Sequence, residues 1–169
     1  MIISARAIKF GDNIDTDVIL PGKYLVLTDP VELGKHAMQG ISEEFVTKSS
    51  NGSILVAGEN FGQGSSREQA PVALKAAGVK CVLADSFARI FYRNAFNIGL
   101  PLLECPGISS RVDEDDKLSI DLEGGKINNE TKGVSMTAFP IPKFLLAILE
   151  DGGIIEHLRR KSGLESRDD

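Results

Sequence analysis

Apolar residues along the chain fall into short runs that predict strands. Residues 2–10 alternate loosely between apolar and polar side chains, which is typical of a half-buried strand. The runs at 53–57, 79–84 and 102–103 are continuously apolar and are bounded by residues that favour turns. Such runs are typical of strands that are covered on both faces of a sheet.

Helical patterns separate these buried runs. One helix is predicted to start near Ala70, because Pro71 is tolerated in the first turn of a helix but not in its interior. A second helix is predicted from a Ser86 cap to about Asn97. The order strand, helix, strand, helix, strand over residues 53–105 predicts right-handed βαβ units and a parallel sheet.

The segments outside this core predict other structures. Between the first two strands, residues from Gly11 through Pro30 predict a structured loop, and residues 31–38 and 42–48 predict two short helices. Beyond Arg111 the pattern predicts short antiparallel strands at 117–122, around Ile127 and at 134–139. Two helices are predicted to follow, at 142–150 and 154–161. The charged residues 162–169 are predicted to form a solvated tail. The sequence therefore predicts an α/β fold with a parallel βαβ core and additional antiparallel strands.

Length, charge and hydrophobic content limit the classes of protein to which this chain can belong. With 169 residues, 42% of them hydrophobic, the chain is expected to form a single domain over residues 1–169. A net charge of −5, without a basic stripe, argues against a nucleic-acid partner. No apolar run approaches the roughly 18 residues that span a bilayer, and Met1–Arg6 shows no charged leader. We expect a cytoplasmic protein with no membrane association.

The two cysteines limit the metal chemistry of the chain. Cys81 lies in an apolar run and Cys105 lies beside Pro106. Two thiols are too few for a four-ligand metal or cluster site within one chain. We therefore expect two buried thiols and no metal bound by this chain.

The segment Gly58–Glu68 carries the most reactive group of side chains. Gly62 and Gly64 allow positive φ and close approach of the backbone, so the main-chain N–H groups of this turn are predicted to bind an anion. Arg67 adds a planar donor suited to a carboxylate. A dinucleotide fingerprint needs a third glycine where Arg67 stands, and a phosphate loop needs lysine after its last glycine, so both nucleotide sites are excluded.

Three blocks of the sequence resemble the signature blocks of the aconitase swivelling domain: Gly62-Gln63-Gly64-Ser65-Ser66-Arg67-Glu68, Asp12 through Pro21, and Ser86 through Ala95. As a free-standing chain of this size, the sequence is similar to the 3-isopropylmalate dehydratase small-subunit family from about residue 2 to residue 160. The resemblance implies an aconitase-type swivelling β/β/α domain.

The same resemblance implies roles for individual residues. Ser65 is implied to be the base that removes a carbon-bound proton next to a carboxylate, and Ser66 and Arg67 are implied to bind a substrate carboxylate. Thr16 and Asp17 fall on the family's Thr-Asp pair, implied to face the reaction centre. A serine hydroxyl is a weak base, so its alkoxide needs nearby N–H groups and positive charge.

Other polar residues in the blocks have simpler interpretations. Asp12 and Asp15 are interpreted as turn-forming carboxylates. Arg89 and Arg93 are interpreted as the exposed face of a helix whose other face is core, and these arginines also suit a subunit surface.

The resemblance also implies a partner, because removal of hydroxide from a 2-hydroxy acid needs a Lewis acid. It implies a large subunit that carries a [4Fe–4S] cluster and shares the active site, so the isolated chain is expected to be inactive. The substrate is expected to be a 2-hydroxy dicarboxylate, and Val26 in the loop Tyr24–Leu27 is expected to accommodate an isopropyl group. The implied activity is the hydro-lyase conversion of 2-isopropylmalate to 3-isopropylmalate in leucine biosynthesis.

Two alternatives stay open. The chain could serve a related dehydratase, a homoaconitase or a methyl- or dimethylmalate dehydratase, although a third carboxylate would find no charge partner at Val26. It could also be a non-enzymatic carboxylate-binding module, and self-association of the isolated chain is compatible with each hypothesis.

Overall fold

The computed structural model describes residues 1–163. The strands are β1 (Ile2–Lys9), β2 (Ser53–Ala57), β3 (Val79–Ala84), β4 (Leu102–Glu104), β5 (Lys117–Asp121), β6 (Lys126–Asn129) and β7 (Val134–Thr137). The helices are α1 (Thr16–Ile19), α2 (Pro30–Gly34), α3 (Phe45–Ser49), α4 (Gln69–Ala76), α5 (Arg89–Asn97), α6 (Lys143–Glu150) and α7 (Ile154–Lys161), with 3₁₀ turns at Gly22–Tyr24 and Ile108–Ser110. Of the predicted tail 162–169, residues 164–169 lie outside the described part.

The seven strands form one sheet in the order β4-β3-β2-β1-β5-β6-β7. Strands β1 to β4 pair in parallel, and β5 to β7 extend the sheet from β1 in antiparallel pairs. Helix α4 connects β2 to β3, and α5 connects β3 to β4. The predicted α/β fold, with a parallel core and added antiparallel strands, is confirmed.

The sheet curls into a half-barrel. The Phe139 N–H, just after β7, donates a hydrogen bond to the Glu104 carbonyl at the end of β4, with a distance of 2.9 Å. The two outermost strands of the sheet therefore approach each other. All five residues of β2 are buried, which explains why its sequence is apolar without alternation.

The carboxyl ends of β1, β2 and β3 lie side by side at one edge of the sheet, because these strands are parallel neighbours. Each end leads directly into one of the three sequence blocks described above. Ligand sites in parallel α/β sheets form at this edge, so the topology brings the blocks together.

Several predicted element bounds are wrong between β1 and β2. The predicted helix at 31–38 ends at Gly34, and the second predicted helix begins at Phe45 rather than at Ser42. Met38 has φ of +58° and its N–H donates to the Ile19 carbonyl instead of continuing a helix. Tertiary contacts therefore override the helical pattern here.

The predicted loop from Gly11 through Pro30 contains the short helix α1. The Asp15 carboxylate accepts a hydrogen bond from the Val18 N–H at 2.8 Å and thereby caps this helix. A four-residue helix has no detectable hydrophobic period, which is why the pattern predicted only a loop.

The predicted cap at Ser86 is also wrong. Helix α5 begins at Arg89, after Ala88, and the Ser86 hydroxyl accepts a hydrogen bond from the Asn60 N–H at 2.8 Å. Phe87 forms an isolated β-bridge with Phe61, which keeps this segment extended before the helix starts. Within residues 1–163 no helix has the length and apolar character needed to cross a membrane.

Candidate active site

The segment Gly58–Glu68 forms a turn between β2 and α4. Phe61 is fully buried, and its ring meets the ring of Phe91 edge-on with centroids 5.3 Å apart. Gly62 follows with φ of +85°, and a Cβ atom there would collide with the Phe91 ring. Glycine is therefore required for this close packing, which brings the start of α5 against the turn.

The segment that leads into α1 lies against the same turn and is joined to it by several hydrogen bonds. The Gly62 N–H donates to Ile14 O at 2.8 Å, and the Thr16 N–H donates to Gln63 O at 2.9 Å. The Thr16 hydroxyl donates to Ser65 O at 3.0 Å. Thr16 is only 3% exposed, so its hydroxyl is held against the main chain of the turn.

These bonds correct the predicted set of anion donors. The Gly62 N–H is bonded to Ile14 and is not free for a ligand. By contrast, the N–H groups of Gly64, Ser65 and Ser66 have no acceptor within residues 1–163. The free donors of this turn therefore begin at Gly64.

Both serine side chains of the turn are exposed. Neither the Ser65 hydroxyl nor the Ser66 hydroxyl contacts a hydrogen-bond partner in the part of the chain that the structure describes. Their hydroxyl groups are accessible to a molecule that approaches the turn.

A cavity of about 310 Å³ lies against this turn. It is lined by Thr16, Gly62, Gly64, Ser65, Ser66, Arg67, Ala88, Arg89, Ile90, Phe91 and Asn94. Each of the three sequence blocks contributes to this lining. Most of the predicted site residues therefore line this cavity, where the two serines lie beside Arg67.

Arg67 is held in a fixed position by protein acceptors. Its Nη1 donates to Asp17 Oδ1 at 2.9 Å and to Leu20 O at 3.1 Å, and the side chain is only 18% exposed. Within residues 1–163, neither Nη2 nor Nε makes a hydrogen bond. The guanidinium thus keeps its Nη2 and Nε edge for a carboxylate, which matches a bidentate geometry.

Asp17 contacts Arg67 and the loop that follows α1. The same carboxylate oxygen accepts hydrogen bonds from Arg67 and from the Gly22 N–H, the latter at 3.1 Å. These two bonds, that from Arg67 first, hold the pKa of Asp17 below its ordinary value. Asp17 therefore carries a negative charge that orients Arg67.

Val26 does not line the cavity, although its loop lies close to Arg67. Its side chain is 83% exposed, whereas Tyr24, Leu25 and Leu27 pack against the core. The Tyr24 ring stacks on the His36 ring with centroids 3.7 Å apart. The loop is anchored by its inward residues and presents Val26 to the outside.

The structure adds two residues to the predicted site. Arg89 and Asn94 line the cavity from α5. Arg89 was interpreted as part of an exposed helix face that also suits a subunit surface. It is exposed, and it also lines a second cavity, of about 540 Å³, between α5 and α6. The sequence feature that could have indicated a role for Arg89 in the site is its position in the third block, Ser86 through Ala95. The interpretation as a turn-forming carboxylate is confirmed for Asp15, which accepts from the Val18 N–H three residues on. It is wrong for Asp12, which accepts from the Glu59 N–H and so joins two segments that are 47 residues apart.

Cys81 and Cys105 are both buried, as predicted, and burial raises the pKa of each thiol. Within residues 1–163, no group of three or more His, Cys, Asp or Glu side chains is arranged to hold a metal ion. The described residues that line the cavity include Arg67 and Arg89 and no carboxylate, a set of charges that favours anions over cations.

The sequence and the fold match known proteins along nearly the whole chain. A model of the aconitase C-terminal domain family matches residues 13–106. The chain is 54% identical over 162 residues to a 3-isopropylmalate dehydratase small subunit from Pyrobaculum calidifontis, with 96% of this chain and 100% of that protein covered. It is 53% identical over 160 residues to an isopropylmalate/citramalate isomerase small subunit from Methanocaldococcus jannaschii, with 95% of each covered.

This chain belongs to the 3-isopropylmalate dehydratase small-subunit family. A crystal structure of 3-isopropylmalate dehydratase from Methanocaldococcus jannaschii superimposes on it with a TM-score of 0.92 and 44% identity, covering 100% of both chains. The part matched as an aconitase C-terminal domain contains every cavity-lining residue. Strands β5 to β7 and helices α6 and α7 of this family member lie outside that match.

Proposed function

We propose that this chain is the small subunit of a heteromeric hydro-lyase of leucine biosynthesis, which interconverts 2-isopropylmalate and 3-isopropylmalate by dehydration and rehydration. The observation that carries the proposal is the cavity itself. It places two exposed hydroxyls, a fixed guanidinium and N–H groups without an acceptor among residues 1–163 at one point. This set of groups suits a carboxylate with an acidic C–H beside it.

Arg67 binds a carboxylate of the substrate in this mechanism. Its Nη1 is held by Asp17 and Leu20, so its remaining edge is oriented before the substrate arrives. A guanidinium with a fixed edge loses little freedom on binding, which favours tight and oriented carboxylate recognition. Ser66, exposed beside it, adds a hydroxyl donor.

Ser65 removes the proton in the dehydration direction. Its alkoxide accepts a proton from the carbon next to a carboxylate, the C–H electron pair forms the double bond, and the neighbouring carbon loses hydroxide. In the rehydration direction Ser65 returns a proton to the other carbon. The positive charge of Arg67 and the free N–H groups of the turn favour the alkoxide and the developing anion.

We propose that the large subunit would hold a [4Fe–4S] cluster, which would supply the Lewis acid that the departure of hydroxide needs. The support from this chain is geometric: among the described residues, those that line the cavity include neither Cys81 nor Cys105, so no thiol of this lining faces the substrate. An enzyme assembled in this way is expected in the cytoplasm, where thiols stay reduced. The isolated small subunit is expected to be inactive.

Citramalate is the second candidate substrate. The relative from Methanocaldococcus jannaschii is named an isopropylmalate/citramalate isomerase small subunit. Citramalate carries a methyl group where 2-isopropylmalate carries an isopropyl group. We propose that Val26, which lies outside the cavity on the exposed side of its loop, meets this group only in the assembled enzyme, where an apolar side chain suits either one. A tricarboxylate such as homoaconitate would there place a charge against Val26 without a partner, so we rank it last.

The test is reconstitution of this chain with the cluster-bearing large subunit of the same organism. Turnover of 2-isopropylmalate and of citramalate is followed through the appearance of the absorbance of the unsaturated intermediate. Hydration of homoaconitate, which is itself unsaturated, is followed through the loss of that absorbance. We expect turnover of 2-isopropylmalate only when both subunits are present. Absence of turnover for all three acids, with the large subunit shown to be bound and to carry its cluster, would refute the proposed function.

A further inference from the structure

Two carbonyl groups of the reactive turn are bonded to a single buried residue. Gln63 O accepts from the Thr16 N–H at 2.9 Å, and Ser65 O accepts from the Thr16 hydroxyl at 3.0 Å. Gly64 lies between them with φ of +100°, and a Cβ atom at Gly64 would lie 3.3 Å from the Thr16 hydroxyl oxygen. Thr16 therefore holds the main chain on both sides of Gly64.

This arrangement determines where the next two N–H groups point. In a trans peptide the C=O and N–H groups point in opposite directions across the peptide plane, and the described residues contain no cis peptide bond. The carbonyl of Gln63 shares its peptide plane with the Gly64 N–H, and the carbonyl of Ser65 shares its plane with the Ser66 N–H. Since both carbonyls point toward Thr16, both N–H groups point away from it.

We infer that Thr16 is a positioning residue, which turns the N–H groups of Gly64 and Ser66 outward as a pair of donors for the anion of the reaction. Both N–H groups lack an acceptor within residues 1–163, and both residues are exposed at the cavity. The hydroxyl of Thr16 itself is occupied by Ser65 O, so Thr16 acts through the turn and not as a ligand of the substrate. This inference rests on the proposed function for the identity of the anion.

The anion is a carboxylate whose charge increases during the reaction. When Ser65 takes the proton, the C–H electron pair delocalises into the adjacent carboxylate, whose charge changes from −1 toward −2 before hydroxide leaves. Two fixed N–H donors stabilise that increase more than they stabilise the ground state. Thr16 is therefore expected to affect kcat more than KM.

Three variants separate this role from a merely structural one. Thr16→Val keeps the branched shape but removes the donor to Ser65 O, whereas Thr16→Ser keeps the donor and removes a methyl group. Ser49→Ala serves as a matched control. It removes a buried hydroxyl that is bonded to the Ser53 hydroxyl at 2.7 Å, at the opposite end of β2 from the turn.

The first measurement follows the N–H groups directly in the ¹⁵N-labelled chain, with malonate as the probe. In wild type, Thr16→Ser and Ser49→Ala, the amide signals of Gly64 and Ser66 are expected to shift on titration. In Thr16→Val the shift of Ser66 is expected to be lost, whereas that of Gly64 is retained, because the main-chain N–H of residue 16 still donates to Gln63 O. An equal Ser66 shift in Thr16→Val, or no shift of the Gly64 and Ser66 signals in wild type, would overturn the inference.

The second measurement uses the reconstituted enzyme with 2-isopropylmalate. Thr16→Val is expected to lower kcat on the order of 10²-fold, as for the loss of an oxyanion donor, with little change in KM. Thr16→Ser is expected to recover most of kcat. If Thr16→Ser is as slow as Thr16→Val, the methyl packing matters and the positioning role is refuted. If wild type does not turn over 2-isopropylmalate, the proposed function fails while the amide shifts still decide the orientation of the turn.

Discussion

Two polar regions of this molecule differ in whether their hydrogen-bonding groups have partners within residues 1–163. In the cluster around Asp116 and Asn129, which are 5% and 1% exposed, the polar atoms bond to each other. Asp116 accepts from Asn129 at 2.7 Å and from the Asp113 N–H at 2.8 Å, while Asn129 also donates to Arg111 O at 3.2 Å. At the Ser65 turn, exposed hydroxyls and N–H groups have no acceptor within residues 1–163.

The difference distinguishes a structural polar cluster from the candidate site. Buried polar groups that bond to each other hold three segments of the chain together. In the Ser65 turn, carbonyl groups accept hydrogen bonds from Thr16, and the remaining N–H donors point away from Thr16. Substitutions in the first region should change stability, and those in the second should change catalysis.

The largest expected effect is on turnover. Ser65→Ala in the reconstituted enzyme should lower kcat on the order of 10²–10⁴-fold, the range for loss of a general base, with a smaller effect on KM. Thermal stability should stay unchanged, because the hydroxyl is exposed. Steady-state kinetics and a melting curve on the same preparation test both parts, and near-normal turnover would remove the base assignment.

The Asp116 cluster should show the reverse behaviour. Asp116→Ala leaves the buried Asn129 amide without one of its acceptors and should lower the free energy of unfolding by about 1–3 kcal/mol. Turnover per folded molecule should be retained. Urea unfolding measures the loss, and Asp116→Ala combined with Asn129→Ala should cost less than the two single losses added together. Additive losses would show that the pair does not act as a unit.

Arg67→Lys should have an intermediate effect that is specific for binding. A lysine ammonium cannot hold Asp17 and Leu20 while presenting a planar edge to a carboxylate. We expect KM for 2-isopropylmalate to rise about tenfold, which corresponds to about 1.4 kcal/mol, with a smaller change in kcat. A fall in kcat alone would assign Arg67 to the chemical step instead.

Val26→Arg should change selectivity with little effect on stability. The side chain is exposed, so the loop can carry an arginine without repacking. The ratio of kcat/KM for homoaconitate to that for 2-isopropylmalate is expected to rise about tenfold. Val134→Arg on β7 is the matched control, since Val134 is also exposed but lies outside the matched domain. An unchanged ratio would show that this loop does not set the specificity.

The smallest expected effect is the acid dependence of the Asp17 pair. The Asp17 carboxyl has a lowered pKa in the folded state. The Asp17–Arg67 pair therefore stabilises the fold at pH values above 3.8, the ordinary pKa, and this contribution is lost as the pH falls through the lowered pKa. The melting temperatures of wild type and Asp17→Asn should therefore differ by a small, constant amount above about pH 5 and converge below 3.8. A difference that grows on acidification would contradict this sign.

Much of the fold could be predicted from the sequence, whereas element bounds in the irregular part could not. The strands at 53–57 and 79–84 match the structure, because a continuous apolar run between turn residues has few other solutions. The helices between β1 and β2 were misplaced, because Met38 takes a left-handed conformation to reach Ile19. Such a contact has no local signature in the chain.

The sequence by itself determined which residues are candidates for the chemistry and that the three blocks follow three parallel strands. Residue types and hydrophobic runs are local properties, and parallel strands must end at a common edge. Only the tertiary structure decided which donors already have an acceptor. The Gly62 N–H donates to Ile14 O, and the Thr16 hydroxyl donates to Ser65 O. Hydrogen bonds between segments about 50 residues apart depend on orientation in space, which no sequence pattern encodes.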